Sequence, residues 1–312
     1  MNNRKVAIIG CGFVGSATAF SLMQSGLFSE MVLLDMDQKK AEGEAMDIIH
    51  GMPFSTPMKI YAGDYDDIAD SAIIIVTAGC NQKPDETRLD LVNKNIAIYR
   101  QIMGEIAKRN VEGILLIVSN PVDILTYAAW KFSGLPKNRV IGSGTVLDTA
   151  RLKCMLGEEL GVDARSVHAF IIGEHGDSEL AVFSSANVSG IDLKDFYDMC
   201  QPDEYHEDTA RIYDQVRDSA YKIIESKKAT YFGVAMAVRR ICECIMRNEH
   251  SILTVSSVVD GIYGAYDMAL SLPCIIGNKG LEQTIQIDLD EEEEKRLKNS
   301  IQVLEDVLAG SI

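Results

Sequence analysis

The sequence predicts an α/β protein, a doubly wound parallel sheet followed by a second, mixed α/β domain, on three observations. Apolar strand-like runs alternate with helix-length amphipathic segments through the first half, a glycine-rich turn joins the first such pair, and the rhythm changes from about residue 144. Strands separated by helices of this length argue for a parallel sheet with helices covering both faces.

Taken in order, periodicity gives a strand at residues 5–9, a helix at 14–24, a strand at 31–35 and a helix at 38–50. A short strand near 58–61 and clearer strands at 72–76 and 114–118 follow, with the polar stretch CNQKPDETRLDLV, residues 80–92, leading into another helix. The second half reads as a helix at 147–160, paired strands at 167–172 and 180–188, long helices at 204–225 and 230–248, and strands at 252–258 and 268–276. A closing helix spans 290–308, and its acidic run 291–294 reads as a solvated first turn favoured by the helix dipole. The expected division is a cofactor domain over 1–143 and a substrate domain over 144–312. No Pro/Gly/Ser-rich linker separates them, so a broad interface is expected.

Composition removes several classes of function. A formal net charge of -16 carries no overall attraction for phosphate backbones or anionic lipid, so nucleic acid and membrane surfaces are not expected partners. The apolar runs fall far short of the roughly 20 residues that span a bilayer. The N-terminus shows no signal-type segment, and seven cysteines without a CxxC pair fit reduced thiols, so a cytoplasmic location is expected. No His/Cys spacing implies a metal.

Gly10-Cys11-Gly12-Phe13-Val14-Gly15 closes the first strand and opens the first helix, the context in which GxGxxG cradles a dinucleotide. The first glycine permits the turn, the second admits a pyrophosphate, and the third lets helix pack on strand. Asp35 ends the second strand, where a carboxylate accepts from ribose hydroxyls and opposes a 2'-phosphate. The expected fold is therefore of Rossmann type and the expected cofactor NAD.

Gly173-Glu174-His175-Gly176-Asp177 sets an imidazole between small residues, with an unperturbed pKa of about 6.5 that suits proton exchange. Asp148 and Arg151 stand three residues apart on a helix and share a face. They form either a local ion pair or a functional set, with Asp148 serving His175 and Arg151 gripping a substrate carboxylate.

Taken together, the segments GCGFVG, LLDMD, TAGCNQKPDETRLDLV, VSNPVDILTY, GSGTVLDTARL, IIGEHGDSE and KKATYFGVA closely resemble those of bacterial NAD-dependent L-lactate dehydrogenases, in the lactate/malate dehydrogenase family, along essentially the whole chain. The resemblance implies that His175 exchanges the proton of the pyruvate carbonyl as hydride moves to or from the nicotinamide. It implies that Asp148 holds the imidazolium, Arg151 binds the carboxylate, Asn120 contacts the reacting oxygen and Thr230 lines the pocket. Arg88 is implied to polarise the carbonyl from a loop that closes over the substrate. Cofactor contacts are implied at Gly10, Gly12, Val14, Gly15, Asp35, Lys40, Tyr65, Gly79, Val118, Ser119, Asn120 and Ser143. A homotetramer is implied, with a fructose 1,6-bisphosphate activator site at Lys153 and His168; lysine there lacks the fork of an arginine.

The alternatives are malate dehydrogenase, a broader 2-hydroxy acid dehydrogenase, or an NAD-binding protein without catalysis. Malate-selective members carry an arginine where this chain has the neutral Gln82, which leaves a second substrate carboxylate without an ion-pair partner. Gln82→Arg is therefore expected to move the ratio of kcat/KM values from pyruvate toward oxaloacetate. A preference for oxaloacetate in the unsubstituted protein would contradict the assignment.

Overall fold

The computed structural model describes residues 2–80, 88–200 and 205–311, the side chains of residues 2, 3 and 88 excepted. Strands β1 (Asn2–Ile9), β2 (Glu30–Leu34), β3 (Lys59–Ala62), β4 (Ser71–Val76), β5 (Ile114–Ile117) and β6 (Val140–Gly142) are all parallel, in the spatial order β6-β5-β4-β1-β2-β3. The helices between them are α1 (Phe13–Met23), α2 (Gln38–His50), α3 (Arg88–Ala107) and α4 (Val122–Ser133). This is the Rossmann strand order, whose direction reverses between β1 and β4.

The apolar runs are continuous because both faces are covered. Ala7, Ile9, Ile74, Val76, Leu115 and Ile117 enter one core with Val92 and Tyr99 of α3 and Leu125 of α4. Their neighbours Val6, Ile8, Ile73, Ile75, Ile114 and Leu116 enter the other, with Leu22 of α1 and Ala41 of α2. A strand turns alternate side chains to opposite faces, so each of these residues is assigned by parity alone.

The second half comprises α5 (Val146–Glu159), β7 (Val167–Ile172), β8 (Leu180–Val188), β9 (Ile191–Asp192), α6 (Leu193–Cys200), α7 (Tyr205–Lys227) and α8 (Phe232–Arg247). After these come β10 (Ser251–Asp260), β11 (Tyr266–Gly277), β12 (Gly280–Thr284) and α9 (Glu291–Ala309). Among the described residues, only β7, β8 and β9 form a separate sheet. Strands β10 and β11, expected within the second, mixed α/β domain, and β12, which the sequence reading did not include, extend the first sheet to nine strands among the described residues, because β10 pairs antiparallel with β6 at Ser256 and Gly142. Gly142 permits that junction: a Cβ there would lie 2.3 Å from Thr126 Oγ1 and 2.9 Å from Ser256 Cβ.

The acidic run opening α9 is not wholly solvated. Glu293 is buried, completes a capping box with Asp290, and accepts hydrogen bonds from the backbone N–H groups of Phe183 and Ser184. One carboxylate of the run thereby docks α9 on β8, while its neighbours remain exposed.

Candidate functional site

The cofactor half of the site lies along the carboxyl ends of the parallel strands, at the reversal between β1 and β4. Gly10 adopts a φ of +104°, and a Cβ on it would sit 2.6 Å from Ala78 N. At Gly15 a Cβ would meet Gly10 O at 1.9 Å, so the helix start can be this close to the strand end only with glycine. Gly12 has open space where its side chain would be and caps α1 without any side-chain hydrogen bond. A pyrophosphate fits that combination of free approach and uncapped helix N-terminus.

The carboxylate of Asp35 accepts from Cys11 N–H at 2.7 Å and from Asp37 N–H at 3.0 Å, so it is fixed by the backbone of the glycine turn and its own loop. Around the same rim, Ser119 Oγ donates to Ala78 O at 2.7 Å and Ser143 N–H donates to Ile117 O at 2.8 Å. Gly79 and Asn120 are exposed beside them, Val118 is buried, and Val14 is half-buried at the start of α1. Lys40 is exposed on α2. Tyr65 is half-buried against the core and beneath the Arg109 guanidinium, so part of its ring is structural.

The sequence reading missed Asn95. Buried on α3, it accepts Cys80 N–H at 2.9 Å and donates to Asn120 O at 3.0 Å, joining the two loops that flank the nicotinamide end of such a site.

The chemical half is assembled by α5 and the turn after β7. Thr145 Oγ1 and Ile171 N–H tie the start of α5 to β7, the first donating to Ile171 O at 2.6 Å and the second donating to Thr149 Oγ1 at 2.9 Å. Asp148 then faces His175, with Oδ2 2.6 Å from Nδ1, while its Oδ1 accepts from Arg151 Nη1 at 2.7 Å. The ion pair within the helix and the histidine contact, posed as alternatives by the sequence, are both present. Arg151 commits one of its five donors to Asp148, and the guanidinium retains the fork that grips a carboxylate.

Burial disfavours charge on the imidazole, but the Asp148 carboxylate outweighs it and pushes His175 up to about 9. Asp148 is itself held low: desolvation opposes this, and His175 and Arg151 more than offset it. About a quarter of the His175 side chain stays accessible.

Two further buried carboxyls were not singled out by sequence. Asp123 accepts from His175 N–H at 2.8 Å, Ser256 Oγ at 2.6 Å and Ser271 Oγ at 2.9 Å, joining α4, the histidine turn, β10 and β11. Glu179 is also buried, and burial together with the Asp148 charge pushes it up to about 8. A charged residue opening the apolar run Val122-Asp123-Ile124-Leu125 was the available signal for the first.

Thr230 stands between α7 and α8, beside Tyr231, whose ring stacks on Phe13 at 5.4 Å and so brings this region to the glycine turn. Lys153 is half-buried on α5, with its ammonium pKa lowered by burial, and His168 is exposed on β7. Gln82 and the side chain of Arg88 lie outside the described residues; the backbone of Arg88 begins α3.

A dinucleotide cradle at a sheet reversal, facing a carboxylate-backed histidine and an arginine, defines a nicotinamide-dependent oxidoreductase of small hydroxy acids. Residues 4–142 match the family model described as the lactate/malate dehydrogenase NAD binding domain, and residues 145–310 match that family's alpha/beta C-terminal domain. The chain belongs to the lactate/malate dehydrogenase family.

It is 53% identical over 312 residues to an L-lactate dehydrogenase of Acetivibrio thermocellus, covering 99% of this chain and 98% of that protein. It is also 53% identical over 306 residues to one from Moorella thermoacetica, covering 98% and 96% respectively. Among solved structures, a lactate dehydrogenase from a Medee basin deep-sea metagenome library superposes with a TM-score of 0.96 at 44% identity, covering 99% of each chain. The minor L-lactate dehydrogenase of Enterococcus mundtii gives a TM-score of 0.96 at 41% identity, covering 99% of this chain and 98% of that one.

Asp123→Ala is expected to leave an N–H and two hydroxyls buried without an acceptor, lowering stability by about 3 kcal/mol. The check is a chemical denaturation midpoint, which should fall clearly; an unchanged midpoint would show that the three donors find other partners.

Proposed function

We propose that this protein interconverts pyruvate and L-lactate with NAD, His175 exchanging the proton. The observation that carries the reading is the Asp148–His175–Arg151 arrangement in a chain that also carries the dinucleotide cradle. The names of the relatives support the substrate, and neutral Gln82 supports a monocarboxylate over a dicarboxylate. The cofactor and substrate parts divide at residues 143 and 144, where Gly144 takes a φ of +52° between β6 and α5.

NADH, when bound, supplies the hydride. Arg151 holds the substrate carboxylate, which fixes the carbonyl toward His175. His175 donates its Nε2 proton to the carbonyl oxygen as negative charge develops there, and Asp148 lowers the cost of carrying the imidazolium beforehand. Asn120 and Arg88 stabilise the same oxygen, and Thr230 lines the far side of the pocket. In lactate oxidation neutral His175 takes the hydroxyl proton.

The reading extends to the cytoplasm as the place of action and to a homotetramer. No helix among the described residues is long and apolar enough to cross a membrane, and the seven cysteines are free. Assembly is supported by an exposed apolar face where α1 packs against α8, bearing Phe13, Phe20, Phe232 and Met236. Fructose 1,6-bisphosphate is the proposed activator at Lys153 and His168.

His175→Asn is expected to lower kcat for pyruvate by roughly 10²- to 10⁴-fold while NADH still binds, measured by turnover and by NADH fluorescence titration. In the unsubstituted protein, pyruvate reduction needs the protonated imidazole and is expected to fall as pH rises through about 9, while lactate oxidation rises through the same range. Added fructose 1,6-bisphosphate is expected to move the pyruvate saturation curve to lower concentrations. A curve unchanged over a wide activator range would remove that site.

A further inference from the structure

The proposed reaction uses His175, Asp148 and Arg151, but it gives no task to the carboxyl group behind them. Glu179 lies in the turn that follows the histidine and is only 5% exposed. One ligand atom each from Asp148, His175 and Glu179 fall within 4.8 Å of one another. Asp148 uses its two oxygens on Arg151 and His175, whereas Glu179 Oε1 has no hydrogen-bond partner among the described residues. The backbone, by contrast, is held firmly: Glu179 N–H donates to Gly176 O at 3.1 Å, and its carbonyl accepts from the Tyr213 hydroxyl of α7. The backbone is thus anchored, while the buried Oε1 has no partner among the described residues.

A second observation comes from the opposite side. Glu179, Asp177, Tyr213 and Arg217 line a cleft of about 820 Å³ between α7, β8 and α9, reaching Arg296. Glu179 therefore stands between this cleft and the histidine.

We propose that Glu179 is a positioning residue that sets the proton affinity of His175, its own ionisation being coupled to that of the imidazole. This rests on the assignment of His175 as the proton donor. The groups facing the pair are Asp148 and Arg151 of α5, Asp123 of α4, Glu174 and Asp177 of the histidine turn, Tyr213 and Arg217 of α7, and Arg296 of α9. Burial, and after it the Asp148 charge, opposes ionisation of Glu179, so the carboxyl group stays neutral until pH approaches about 8. Once ionised, it adds to the field that keeps the imidazole protonated. When His175 gives up its proton, the positive charge that favours ionised Glu179 is lost, and the carboxylate takes up a proton from solvent more readily.

The sign follows directly. Glu179→Gln removes the negative charge that appears near pH 8, so the imidazole should lose its proton at lower pH. The high-pH midpoint of pyruvate reduction and the low-pH midpoint of lactate oxidation should both move down, by on the order of one pH unit. The test reads midpoints in pH profiles of kcat/KM, because a general structural loss scales the whole curve and leaves its midpoint in place. A folded Glu179→Gln protein with unmoved midpoints overturns the proposal. Titration of the His175 imidazole by NMR in 13C-histidine-labelled protein, with and without the substitution, needs no turnover. It still decides the matter if pyruvate turns out not to be the substrate. If Glu179→Gln does not fold, 13C-carboxyl-glutamate labelling of the unsubstituted protein should show one glutamate titrating near pH 8; none doing so overturns the proposal equally.

Discussion

The site depends on one buried carboxylate doing two things at once. Asp148 is almost fully enclosed, and an ion in that position is stable only if its oxygens are met by charge or by strong donors. It finds both, Arg151 on Oδ1 and His175 on Oδ2, so the same electrostatic requirement that keeps Asp148 ionised fixes two other side chains relative to each other. Because Asp148 and Arg151 are three residues apart on α5, their spacing is set by helix geometry and only the histidine must be delivered from elsewhere.

Delivery of the histidine is arranged by buried polar groups, not by apolar packing. Gly173 pairs with Ser271 on β11, Glu174 N–H donates to Ser300 Oγ of α9, and His175 N–H donates to Asp123. Successive residues of one turn are thereby bound to three different elements. Each of these contacts satisfies a group that would otherwise be buried unpaired, so losing any one leaves a penalty as well as a missing bond. The turn is thereby anchored on three elements, which suits the proton-donor role proposed for His175.

Much of this was legible in the sequence wherever a property repeats locally. The parity of β1, β4 and β5, the glycines at 10, 12 and 15, and the helical spacing of Asp148 and Arg151 are each determined within a few residues of chain. What escaped was non-local. Strand β6 is three residues long and offers no periodicity, yet it is the edge on which β10 pairs, so the join between the two halves of the sheet had no signal in either segment. Asn95 and Asp123 resembled ordinary polar residues on helices, because their partners lie in loops and strands far along the chain. Glu293 shows the same limit, since an acidic first turn reads as solvated until β8 is brought against it.

That continuous sheet bears on how the two halves cooperate. The proposed cofactor contacts lie at the ends of β1, β4, β5 and β6, while the histidine turn is tied through Asp123 and Ser271 to α4 and β11. Strand β6 belongs to the first group, and its neighbour β10 supplies Ser256 to the second. A shift between cradle and histidine would therefore have to shear the Gly142–Ser256 junction, where the side chains are too closely fitted to admit even a methyl group on the glycine. In the proposed reaction hydride and proton reach adjacent atoms of one carbonyl, and strand pairing ties the elements that carry their two proposed sources.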